Sequence, residues 1–127
     1  MHNELEKIIQ NAYESGTTIE EAERLAARFL HAQLQVSTEL SKASLDARMR
    51  KSGLKAVRAA VYLEEATKGD KKPSDVMLDA LVNRHEVVQS EQDEFDKAEV
   101  KTAELERLYS IYGNAHVYFR QVSRVQG

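Results

Sequence analysis

Apolar residues recur at helical spacing along most of the chain. A short amphipathic segment occupies residues 1–16, and from Thr18 onward apolar positions repeat every three or four residues. Thr18 followed by Glu21 is typical of a helix N-terminus, because the hydroxyl can cap the helix and the carboxylate can return the bond. We therefore predict one long helix over 17–67, either continuous or kinked at Gly53.

The second half of the chain predicts two more helices. The sequence KGDKKPS, residues 68–74, contains the only proline and predicts a loop. An acidic helix is predicted over 75–112, with apolar residues seven apart as in a coiled-coil seam. Gly113 is interpreted as a helix stop, so residues 113–127 become a short, separate amphipathic helix. The prediction is a single all-α domain, 1–127, of long amphipathic helices with a short C-terminal helix.

These apolar stripes exceed what one small chain of 127 residues would bury, so we expect the helices to assemble into a homo-oligomer. The apolar face of the last helix is the predicted oligomerisation surface: Tyr118, Phe119, Val122 and Val125. The chain has no cysteine, which excludes disulfides and thiolate chemistry. No stretch approaches the ~20 apolar residues of a membrane span. We expect a soluble, cytoplasmic protein without membrane partners.

Basic residues are concentrated in one segment of the chain. The chain carries a net −3, yet residues 48–72 hold eight basic and three acidic side chains, a sum of +5. One helical face gathers Arg48, Lys51, Lys55, Arg58 and Tyr62. A row of cations beside an aromatic ring suits a single-stranded nucleic acid, because phosphates meet the cations and a base can stack on the ring.

Two further features belong to this basic segment. No acidic residue lies between Asp46 and Glu64, so sequence neighbours do not neutralise the row. Arg50 points to the apolar side of the helix and requires a snorkelling stem or an acidic partner. The predicted nucleic-acid contacts continue into the loop with Lys68, Lys71 and Lys72.

The sequence offers no catalytic constellation. It contains no phosphate-binding loop of the GxxxxGK[ST] type. The four histidines form neither an HExxH motif nor the Glu-x-x-His pairs of helical di-iron proteins. The acidic run over 91–99 lacks the glycine and the alternation of a calcium loop. We predict a protein that is not an enzyme and has no metal or other cofactor.

The segment SGLKAVRAAVYLEEATKGD resembles the UvsY-type recombination mediators of large tailed phages. That family carries a Leu-Lys-Ala-Arg segment, then tyrosine and a polar loop with glycine. Here Val57 separates the alanine from the arginine, and a tyrosine pair is reduced to one residue. The matching residues are Leu54, Lys55, Ala56, Arg58 and Tyr62, with Lys68, Gly69 and Asp70 in the loop.

The resemblance extends loosely over residues 35–125 and carries functional expectations. It implies a ring-like homo-oligomer that binds single-stranded DNA in the host cytoplasm, if the gene is phage-encoded. It also implies that the protein helps a RecA-type recombinase to replace single-strand-binding protein on the strand. The protein would then take part in DNA recombination and repair.

Two alternatives to the mediator remain. The first is a small phage or bacterial inhibitor protein that binds a protein target through the acidic helix over 75–112. The second is a coiled-coil adaptor with a purely structural role.

Overall fold

The computed structural model describes residues 2–126, apart from the side chains of Tyr13, Val125 and Gln126. These residues form four helices: α1 (His2–Ser15), α2 (Ile19–Thr67), α3 (Asp75–Arg84) and α4 (Glu86–Gln126). No strand occurs within the described range. The all-α prediction is confirmed, and so is the long helix predicted over 17–67, which continues through Gly53 without interruption.

The predicted bounds of the later helices are wrong. The chain leaves helical geometry at His85, so the acidic region forms α3 and α4 instead of one helix over 75–112. Helix α4 then passes through Gly113 and ends at Gln126, so the described residues contain no separate C-terminal helix. A glycine inside a helix costs only ~1 kcal/mol relative to alanine, which packing along a 41-residue helix can offset.

The turn between α1 and α2 is set by local sequence. Gly16 adopts a left-handed φ of 74°, which favours glycine, and its N–H donates to the Ala12 carbonyl at 3.0 Å. The Thr18 hydroxyl accepts a hydrogen bond from the Glu21 N–H at 3.2 Å, as predicted for the cap. The Glu21 carboxylate accepts from the Thr17 hydroxyl at 3.2 Å.

The chain divides into two compact units, and α2 and α4 contribute to both. The first unit consists of α1, α2 as far as Glu39, and α4 from Leu105. Aromatic rings form its centre, where Phe29 of α2 stacks on Phe119 at 5.6 Å and lies 5.9 Å from the ring of Tyr112. Each fully buried side chain of this size contributes roughly 1.5–3 kcal/mol through removal of apolar surface from water.

Polar groups of the first unit find partners within it. The His116 ring hydrogen-bonds the Ala26 carbonyl through Nδ1 at 2.8 Å, which ties α4 to α2. The Tyr112 hydroxyl hydrogen-bonds the His2 ring of α1. Burial raises the pKa of Tyr112, and the nearby carboxylate of Glu6 raises it further.

The second unit, Leu40–Glu104, has an aliphatic core. Helices α2, α3 and α4 each contribute to one cluster of buried residues: Leu54, Val61, Val82 and Val88. Val57, Tyr62 and Phe95 pack against this cluster with part of their surface still exposed. Because Leu54 and Val61 lie seven residues apart, the same face of α2 stays turned inward for two helical turns.

The break at His85 is stabilised by hydrogen bonds from both helices. The His85 N–H donates to the Val82 carbonyl at 3.2 Å and closes α3. Its ring Nδ1 accepts from the Val87 N–H at 3.2 Å, and its carbonyl accepts from the Gln89 N–H at 3.0 Å. One residue therefore ends α3 and caps α4. The opposite end of α3 is capped by Ser74, whose hydroxyl accepts from the Met77 N–H at 3.2 Å.

Gly113 has a packing role instead of the predicted stop. A Cβ built at this position would overlap the side-chain amide of Gln33 on α2. The same amide donates to the Tyr109 carbonyl at 3.4 Å. The absence of a side chain at Gly113 thus makes room for a contact between α2 and α4.

Alanine substitution at the two helical glycines should change stability to different extents. Gly53→Ala should raise the free energy of unfolding by ~0.5–1 kcal/mol, because a Cβ there meets nothing within 4 Å and alanine favours the helix. Gly113→Ala should gain less, because the new methyl group displaces Gln33. Thermal denaturation followed by circular dichroism measures both; an equal gain at the two positions would contradict the packing role of Gly113.

Two variants at His85 test its role as the cap of α4. His85→Ala should lower the free energy of unfolding by ~1 kcal/mol, because the Val87 N–H loses its acceptor. His85→Asn should retain most of the stability, since asparagine is a strong N-cap residue. Chemical denaturation at neutral pH compares the two. Equal stability of His85→Ala and wild type would show that the ring does not cap α4.

Candidate nucleic-acid interface

Three cations of the predicted row are open to solvent. Arg48, Lys51 and Lys55 are exposed on α2, in the part of the helix that belongs to the second unit. Lys55 lies seven residues after Arg48, or ~10 Å along the helix axis. Within the described part of the chain, no ion pair involves any of the three. They form what we call the open row.

Arg58 differs from the open row because another residue holds it. Its Nη2 donates to the Asn83 side-chain oxygen at 2.8 Å, which connects α2 to the end of α3. Arg58 is half-buried as a result. The bond fixes the position of the guanidinium while leaving its other N–H groups able to donate.

Tyr62 lies against the core of the second unit. Its ring packs on the cluster that contains Leu54 and Val61, and its hydroxyl donates to Asp75 Oδ1 at 3.5 Å. A base stacking on Tyr62, as the sequence predicts, would therefore compete with packing for part of the ring. The exposed cations nearest to Tyr62 in sequence belong to the open row and to the loop.

The loop lysines and Arg50 complete the basic segment. Lys68, Lys71 and Lys72 are exposed between α2 and α3, and Lys68 lies 3.9 Å from Glu65. Arg50 has the acidic partners that the sequence predicted as one option: Asp46 at 3.5 Å and Glu94 of α4 at 3.9 Å. Exposed pairs of this kind contribute ~0–1 kcal/mol each, so they orient Arg50 more than they stabilise the fold.

Residues far apart in sequence meet beside Arg58. A surface depression of about 320 Å³ is lined by Arg58, Asn83, Val88, Gln89, Gln92 and Asp93. The asparagine and the glutamines are not among the residues that the sequence predicts for this site. No local pattern marks them, because α2 must pack against the break between α3 and α4 before they become neighbours.

Part of the predicted oligomerisation surface is interior to its own chain. Phe119 is 1% exposed and stacks on Phe29, so it belongs to the core of the first unit. Tyr118 and Val122 are half-buried, and the Tyr118 ring meets Phe119 edge-on at 5.1 Å. Val125 falls outside the described side chains. The assignment of Phe119 to a contact between subunits is corrected by this packing.

Among the described residues, no group of three or more histidine or acidic side chains is arranged to hold a metal ion. None of the described helices is long and apolar enough to cross a membrane. Comparison of the chain with protein-family models, curated protein sequences and solved structures finds no match.

The core position of Phe119 predicts a stability loss that is independent of protein concentration. Phe119→Ala should lower the free energy of unfolding by ~3–5 kcal/mol, because it removes a buried ring and leaves a cavity. Val117→Ala is the control, since Val117 is 40% exposed and should change stability by only ~0.5 kcal/mol. Denaturation at several protein concentrations measures both. A loss of stability that varies with protein concentration would indicate that Phe119 lies in a subunit interface.

Proposed function

We propose that this protein binds single-stranded nucleic acid through the open row of α2 and acts as a non-enzymatic recombination mediator. One observation carries the binding part of the proposal. Arg48, Lys51 and Lys55 are exposed together without acidic partners among the described residues. In contrast, the neighbouring Arg50 is paired with acids.

A single strand fits this arrangement for electrostatic reasons. Each cation that neutralises a phosphate releases condensed counterions, which drives binding at low salt. The three side chains follow one helix and would contact a backbone running along it. The loop lysines Lys71 and Lys72, both exposed, extend the positive charge beyond the end of α2.

The mediator step rests on the resemblance to the UvsY-type family. In the matched segment Leu54 is buried and Lys55 is exposed, so the motif supplies both a core contact and a surface cation. The proposed partners are a RecA-type recombinase and single-strand-binding protein. The protein would hold the strand while the recombinase replaces the single-strand-binding protein.

Exposed apolar side chains support self-association as part of this proposal. Leu45, Met49 and Leu63 lie on α2 in the second unit with 58%, 66% and 65% of their surface exposed. A homo-oligomer would cover such groups and would also link several open rows. Linked sites raise the effective affinity for one strand by ~10²–10⁴.

The inhibitor alternative draws on a different face. Asp93, Asp96 and Glu99 are exposed on α4 and could imitate a phosphate backbone for a protein target. A protein of this kind would not bind nucleic acid through α2, so one binding experiment separates the two functions.

Binding to a labelled 15-nucleotide single strand should weaken as salt rises. Each phosphate contact contributes about −0.7 to the slope of log affinity against log salt, so three contacts give about −2. Lys51→Ala combined with Lys55→Ala should reduce the slope to about −0.7 and weaken binding to all sequences alike. Fluorescence anisotropy across a salt series measures the slope.

The matched control removes two lysines from α4. Lys97→Ala with Lys101→Ala changes the net charge equally but leaves the open row intact. Both double variants should keep the circular dichroism spectrum of the wild type. Absence of binding at low salt would favour the inhibitor function. Equal weakening by the two double variants would show that binding depends on net charge and not on the open row.

A further inference from the structure

The depression beside Arg58 is lined mainly by hydrogen-bonding groups. Its volume of about 320 Å³ lies at the lower end of the ~300–1,000 Å³ that small-molecule sites occupy. Val88 lines it from the core side and is 2% exposed, and the other five lining residues are polar or charged. All six belong to the second unit, as does the open row.

Hydrogen bonds fix several of these groups and leave others available. Gln89 Nε2 donates to the Asn83 carbonyl at 3.4 Å, and Gln92 Nε2 donates to Asp96 Oδ1 at 3.0 Å. Each bond uses one of the two N–H groups of the glutamine amide. The side-chain oxygens of Gln89 and Gln92 and the carboxylate of Asp93 have no hydrogen-bond partner among the described residues. The depression is therefore rich in unused acceptors.

The charges in the depression favour a neutral ligand over a phosphate. Arg58 and Asp93 both line it but form no ion pair within 4.0 Å. A phosphate near Arg58 would meet repulsion from Asp93 and would find acceptors where it needs donors. A planar group with both donors and acceptors could use the carboxylate and the guanidinium together.

We propose that this depression receives one base of a bound single strand, with preference for a base that carries an exocyclic amine. This inference rests on the proposed function, because the open row would bring the strand to the site. Lys55 precedes Arg58 by one helical turn on α2, so a backbone held at Lys55 places a nucleotide beside the depression. The base would present its edge to Asp93 and Arg58.

The preference follows from counting donors. The amine of cytosine offers two N–H groups, which Asp93 and a glutamine oxygen can accept, while its ring acceptors face Arg58. Uracil and thymine offer a single ring N–H on the same edge and add a carbonyl oxygen where the amine would be. That oxygen would face acceptors. A carboxylate that accepts from the cytosine amine is also a known mode of base recognition.

The experiment compares single strands that differ in three central bases. Three 15-nucleotide thymidine strands differ only at their three central positions, which carry cytosines, uracils or base-free sugars. Fluorescence anisotropy gives the affinity for each strand at one salt concentration. Uracil matches cytosine without the methyl group of thymine, so the comparison isolates the amine. We expect the cytosine strand to bind about five- to tenfold more tightly than the uracil strand.

A pair of charge-matched variants assigns the preference to the depression. Asp93→Asn should reduce the preference for cytosine to less than twofold, because the amide presents a donor as well as an acceptor. Glu99→Gln removes the same charge from an exposed position of α4 outside the depression and should keep the preference. Both variants should slightly strengthen binding to the uracil and base-free strands, since each removes a negative charge.

The outcomes separate this inference from the proposed function. Equal affinity for cytosine, uracil and base-free strands, with the salt slope near −2, would overturn the base site and leave binding through the open row in place. A preference that persists in Asp93→Asn would likewise overturn it. Absence of binding to every strand would overturn both proposals.

Discussion

Burial of one face of α2 is the constraint on which the rest of the structure depends. An isolated helix gains little from propensity alone, and long helices in water are stabilised chiefly by packing of an apolar face. In the first unit that face contributes Phe29, which lies against the rings of Tyr112 and Phe119. In the second unit it contributes Leu54 and Val61 to the aliphatic cluster.

The same burial determines which basic side chains can act. Because Leu54 faces inward, Lys51 and Lys55 fall on the exposed side of α2. Positions closer to the core have different surroundings: Arg58 is held by Asn83, and Tyr62 packs on the cluster. The residues that the sequence places in one row therefore lie in two different environments. Some are solvated cations, and Arg58 is a hydrogen-bonded arginine beside a polar depression.

Two local errors of the sequence interpretation have clear causes. Gly113 carries the signature of a helix stop, yet α4 continues because the glycine relieves a close approach of Gln33. His85 carries no strong stop signature, yet the chain breaks there because its backbone and ring satisfy the ends of both helices. At Gly113 the deciding contact comes from a side chain of another helix, which residue propensities cannot reveal. At His85 the bonds are local, reaching residues two to four positions away, but histidine is not among the usual helix-capping residue types.

The sequence by itself determined the helical class, the course of α2 and the cap at Thr18. These features depend on periodicity and on bonds between residues three or four apart, which the order of residues specifies directly. It also located the basic segment. Only the tertiary structure decided which of those cations remain unpaired, that Phe119 lies inside its own chain, and that Asn83 and Asp93 meet Arg58. Those outcomes depend on packing between helices distant in sequence, where burial and competing partners select among the possibilities that local pattern allows.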